Sequence, residues 1–101
     1  MKKPLLFLAF IFIACNAIAQ SVYSDVAPIF YKNCTSCHNG FGHGPSFMNY
    51  TQTFSYSGSI AAELTENKMP PWSPDSTYSR FVHERYITQD DKAKVLAWIA
   101  N

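Results

Sequence analysis

An apolar run from Leu5 to Ala14, preceded by Met1-Lys2-Lys3 and followed by Ala17-Ile18-Ala19, limits what the rest of this chain can build. The run is too short to span a bilayer. Its charged start, apolar middle and small-x-small end predict a secretory signal peptide over residues 1–19, with export to the periplasm. Residues 20–101 then form the domain, 82 of the 101 residues. A chain of that size buries only a little over ~60% of the surface its unfolded form exposes, so a disulfide, a metal or a large cofactor is expected to complete its core. One small domain fits, and a multidomain enzyme does not.

Without Lys2 and Lys3 the domain carries six Lys and Arg against seven Asp and Glu, a net charge of −1. Nucleic-acid binding is not expected, because phosphate recognition needs a basic face. No run of like charges marks a polybasic membrane patch. The three cysteines are Cys15, Cys34 and Cys37, and an odd thiol in an exported protein needs an explanation. Cleavage after Ala19 removes Cys15 with the leader. The alternative is that Phe12-Ile13-Ala14-Cys15 acts as a degenerate lipobox and Cys15 becomes a lipidated, membrane-anchored N-terminus. The first is preferred, since Phe12 is an awkward start for a lipobox.

Along the domain, Val26, Ile29 and Phe30 recur at helical spacing behind Ser24 or Asp25 as N-cap, with Pro28 in the first turn, which predicts a helix from Val26 into Cys34. Residues 39–45 hold three of the four glycines and read as loop. Residues 51–57, rich in Ser, Thr and aromatics, leave their state open. Ser59 as N-cap, with Ile60 and Leu64 at i and i+4, predicts a short helix to about Glu66. Asn67 suits the left-handed residue that closes a helix, and Pro70-Pro71 prevents its continuation. Residues 72–87 read as a second loop with Pro74, Asp75 and Ser76 as turn residues. Thr88 then caps a last helix, with Asp90 and Asp91 in its first turn and an apolar side of Val95, Leu96, Trp98 and Ile99. No stretch alternates with period two. The expectation is an all-α domain of three to four short helices with long loops, wrapped around something that fills its centre.

Cys34-Thr35-Ser36-Cys37-His38 is C-x-x-C-H, the attachment signature of c-type haem. Two thiols at this spacing can each form a thioether to one of the porphyrin's two vinyl groups, and the next residue then projects over the iron as the proximal ligand. By residue frequencies a chance match in so short a chain is on the order of one in a thousand. Three other readings compete. A thioredoxin-like dithiol needs a βαβ context that the helical pattern denies. A zinc site wants further ligands, and only His43 and His83 are left to supply them. A disulfide between Cys34 and Cys37 would close a trivial loop and add little stability. One covalent haem c is the expectation.

Candidates for the other axial position are Met69, Met48, His43 and His83. Met69 stands just past a helix end and before two prolines, on a stiff loop able to reach the opposite haem face. Met48 follows His38 closely and reads as packing. His43, in a glycine-flanked loop, and His83, near Arg85, read as exposed polar residues. Trp98, Phe30 and Tyr31 are expected at a crossing of the first and last helices. Trp72 and Tyr50 could pack on the haem or donate to a propionate. Arg80 and Arg85 read as solvated cations.

The run Ile29 to Gly40 around C-x-x-C-H, Lys68-Met69-Pro70-Pro71-Trp72, and Phe81, Arg85, Thr88 and Trp98 together resemble a compact class I type cytochrome c domain. The likeness is greatest to the bacterial subgroup in which M-P-P-W follows C-x-x-C-H by some thirty residues, and it spans residues 23 to 101. It implies that His38 and Met69 are the axial pair and that Cys34 and Cys37 carry the thioethers. It further implies that Gly44-Pro45 is the Gly-Pro element whose proline carbonyl fixes the proximal histidine through Nδ1. Where relatives usually carry glycine before the Lys-Met pair, this chain has Asn67, which tolerates the same left-handed geometry.

With both axial positions filled, the iron has no open site for substrate. The expected role is a periplasmic single-haem electron carrier, not an enzyme, exchanging electrons with redox protein donors and acceptors. Two alternatives stand beside it: a haem-based sensor or small-ligand-binding module in which Met69 is labile, and an electron-transfer subunit of a larger oxidoreductase.

Overall fold

The computed structural model describes residues 20–42, 44–71, 77–79, 81–82 and 84–101. Four helices follow one another: α1 Tyr23–Asn33, α2 Tyr50–Ser55, α3 Ser57–Thr65 and α4 Gln89–Ala100. Among the described residues there is no strand, in keeping with the all-α expectation. The leader and Cys15 lie outside the described residues. Within those described, no helix is long and apolar enough to cross a membrane.

Helix α1 begins at Tyr23, earlier than a cap at Ser24 or Asp25 would allow. Val22 is the capping residue. It has no side-chain acceptor, and the turn is closed by Asp25 instead: its carboxylate accepts the Val22 N–H at 3.1 Å and its own N–H donates to the Val22 carbonyl at 3.0 Å. Pro28 therefore lies in the second turn, not the first. The helical donor it fails to supply would have met the carbonyl of exposed Ser24, where water can take its place. At the other end the Cys34 N–H still donates to Phe30 at 2.8 Å, which delivers the chain into the Cys34–His38 turn.

The open stretch after Asn49 is helical. Asn49 caps α2 by accepting from the Gln52 N–H at 3.0 Å. Buried Thr53 turns its hydroxyl back to the Asn49 carbonyl at 2.8 Å, with the Phe47 carbonyl at 3.3 Å. Helix α3 then follows directly, with Tyr56 ending one helix and beginning the next. Ser59 consequently lies inside α3 rather than capping it, because the chain enters the helix three residues sooner, with Tyr56 as the cap.

The end of α3 matches its sequence signal. Asn67 has φ 56°, its N–H donates to Leu64 at 3.2 Å, and the Lys68 N–H reaches back to Glu63 at 2.9 Å. This pair of bonds is the Schellman closure, which satisfies carbonyls left over at a helix end. Thr88 caps α4 as expected, accepting the Asp91 N–H at 3.1 Å.

Helices α1 and α4 pack together through aromatic rings. Trp98 lies 5.9 Å from Phe30 and 5.5 Å from Tyr23, centroid to centroid. Tyr31 does not join this crossing: it faces outward and donates its hydroxyl to the Met48 carbonyl at 3.2 Å. One residue further along a helix turns the side chain by about a quarter of the circumference, so Phe30 and Tyr31 cannot share one face. Phe30, Val26 and Val95 are the most deeply buried apolar side chains, each stabilising the fold by about 1.5–3 kcal/mol through burial.

Candidate functional site

Between α1, the following loop, α3 and the middle of α4 lies a cavity of about 870 Å³, within the size range of cofactor pockets. Its walls are mostly apolar, with Ile29, Phe47, Ile60, Leu64, Ile87 and Val95 among them. Cys34, Cys37, His38, Pro45 and Met69 all line it. Five of the six haem-binding residues expected from the sequence are thus brought to one space. The sixth, Trp72, lies outside the described residues, as do His43, Arg80 and His83.

The imidazole of His38 is oriented before any ligand is considered. Its Nδ1 lies 2.8 Å from the Pro45 carbonyl oxygen. A carbonyl only accepts, so Nδ1 carries the proton, and in the neutral imidazole this leaves the Nε2 lone pair free. The ring stacks on Phe47 at 4.5 Å and 23°, while the Phe47 N–H donates to the His38 carbonyl at 2.9 Å. Two glycines make this loop possible. At Gly44, φ is +92° and a Cβ would lie 3.1 Å from His38 Cε1. At Gly42 a Cβ would lie 2.4 Å from the Cys37 carbonyl oxygen, so only glycine lets the loop close over the motif.

Cys34 and Cys37 are not bridged to each other. Burial pushes the Cys34 thiol up to about 11, from an ordinary 9.0. At neutral pH it is therefore protonated and weakly nucleophilic, the opposite of a reactive dithiol, whose pKa is lowered. Among the described residues no three His, Cys, Asp or Glu side chains come together in a way that could hold a bare metal ion. The donor set of the cavity, two thiols, one imidazole nitrogen and one thioether, instead fits a covalent haem: the thiols for the vinyl groups, His38 and Met69 for the iron.

Met48 takes no part in this space. Its backbone N–H is bound by the Gln52 side chain at 3.2 Å, it is exposed, and it does not line the cavity. Tyr50 also lies elsewhere, against Tyr23 at 5.3 Å and stacked on Phe54 at 5.4 Å. It does not line the cavity, so its expected part, packing on the haem or donating to a propionate, finds no support there: a ring at the first residue of α2 is drawn into the aromatic cluster with Trp98.

Among the lining residues that the sequence does not mark as site residues are Arg85, Tyr56 and Glu63. Arg85, read as a solvated cation, lines the cavity and donates from Nη1 to the hydroxyl of Ser36, inside the cysteine motif. Tyr56 and Glu63 line it as well. Glu63 has only its place one residue before Leu64 as a signal. Tyr56 had none, since its segment had no clear helical period. No family model, no curated protein and no solved structure matches this chain.

Proposed function

We propose that this chain is a class I type c-type cytochrome, with its helices and loops arranged around one covalent haem c, and that it carries single electrons between redox proteins in the periplasm. The observation that carries this reading is the convergence of Cys34, Cys37, His38 and Met69 on one apolar cavity, with His38 already oriented by Pro45. Bound there, a haem supplies a one-electron Fe(III)/Fe(II) couple.

The chain's own residues account for the rest. Cys34 and Cys37 would hold the macrocycle through thioethers, and His38 would ligate through Nε2. Met69 would supply the second iron ligand, a thioether sulfur, which favours the ferrous state and raises the potential. With both positions taken by protein, no site would be open to a substrate, which suits a carrier rather than an independent enzyme. Pro45, Gly44 and Phe47 hold the imidazole in one orientation, and the Schellman closure and Pro70-Pro71 hold Met69. The walls around these residues are mostly apolar. In this reading residues 1–19 direct export and are removed; lipidation at Cys15 is the alternative that would tether the carrier to a membrane.

The second reading, a small-ligand sensor, requires Met69 to leave the iron. Two measurements on protein matured with haem decide the matter. Extraction with acidified acetone should leave the colour with the polypeptide, and haem that passes into the solvent overturns the c-type assignment. Reduced protein exposed to CO at neutral pH should keep its spectrum, whereas rapid CO binding favours the sensor.

A further inference from the structure

The Lys92 ammonium on α4 donates to the side-chain carbonyl oxygen of Asn67 at 2.8 Å, across 25 positions of sequence. Asn67 is the left-handed residue that closes α3, two residues before Met69. A glycine there would meet the conformational requirement at φ 56° with no side chain at all. Asparagine meets it and adds an acceptor. That acceptor is used, and its donor comes from the helix that also packs Val95 and Trp98 into the core with α1.

We propose that Lys92 is a positioning residue for Met69, acting through Asn67 as a clamp that slows release of the methionine sulfur. The proposal rests on the His38/Met69 reading above. The backbone after Asn67 reaches Met69 through two bonds to one carbonyl: Lys68 N–H to Glu63 at 2.9 Å and Met69 N–H to the same oxygen at 3.4 Å. The second is long, so the Met69 segment leans on Asn67 for its direction. Helix α4 is in contact with both α1, which leads into His38, and α3, which leads to Met69. Lys92 thus ties the methionine loop to the same rigid element against which the histidine side is built. The bond joins a charge to a neutral amide, and Lys92 takes part in no ion pair among the described residues; added salt should weaken it little compared with an exposed ion pair.

The test is the displacement of Met69 by imidazole in the ferric holoprotein, followed by loss of the weak long-wavelength charge-transfer band of an iron–methionine bond. Lys92→Met removes the donor and keeps most of the aliphatic stem. Asn67→Gly removes the acceptor and keeps the left-handed backbone. Each should speed displacement about fivefold, the size expected for one modest hydrogen bond, and the double variant should be no faster than either alone. Lys94→Met makes the same charge change on the same helix, without such a bond, and should leave the rate at that of wild type. Singles that match wild type, or effects that multiply to about 25-fold in the double variant as independent sites do, overturn the clamp. Wild-type ferric protein with no such band overturns the Met69 ligation itself, a different failure that is visible before any variant is made.

Discussion

His38 donates from Nδ1 to the carbonyl oxygen of Pro45 at 2.8 Å, seven residues further along the chain. That single bond fixes the tautomer, aims Nε2, and joins the cysteine motif to the loop that covers it. A histidine held this way presents its Nε2 in one defined direction. The loop geometry it requires leads to the first expectation.

Gly44→Ala should damage both the loop and the imidazole. An alanine at φ +92° carries a conformational cost of about 1–2 kcal/mol, and its Cβ would press on the His38 ring. Denaturant unfolding of the holoprotein should show a loss of at least about 1 kcal/mol, with lower haem incorporation. An unchanged midpoint and yield would mean that the loop is not set by this contact.

Phe30 is fully buried between Trp98, Tyr23 and Phe47. Phe30→Ala should cost about 3–5 kcal/mol, a large share of the total for a domain this small. Thermal and denaturant unfolding check this. A cost below about 1 kcal/mol would place Phe30 outside the core that joins α1 to α4.

Met69 lines the cavity and Met48 does not. Met69→Ala should therefore abolish the long-wavelength band of the ferric protein and lower its reduction potential, while Met48→Ala should leave both nearly unchanged. Loss of the band in Met48→Ala alone would reverse the assignment.

Arg85 brings a positive charge to the cavity wall against Ser36 and takes part in no ion pair among the described residues. A cation beside the site favours the state that has gained an electron. Arg85→Gln should thus lower the reduction potential, and the difference should shrink as salt is added, with screening over about 10 Å at 0.1 M. A potential that stays the same or rises would contradict this placement.

Much of the fold follows from local chemistry. Helix α4 is readable because its cap, acidic first turn and apolar period agree, and the close of α3 because Asn67 and the two prolines allow little else. The start of α1 is not, since a valine at the cap position hides a turn that is closed from Asp25. Helix α2 is not, since Ser, Thr and aromatic residues argue against helix until Thr53 is seen buried and bonded to Asn49 and Phe47. At the site the contrast has the same cause. The cysteines and His38 are adjacent in sequence, and Met69 is held by a local closure, so both can be found from spacing. Arg85 meets Ser36 across 49 positions, a relation that only the folded chain creates.

The most direct test is the mass of one peptide. Trypsin cutting after Lys32 and Lys68 releases residues 33–68, which contain Cys34, Cys37 and His38. From protein matured in its native host, this peptide should carry the added mass of one haem and take up no alkylating reagent at either cysteine. The same peptide recovered without haem, and alkylated at both thiols after reduction, would contradict the account.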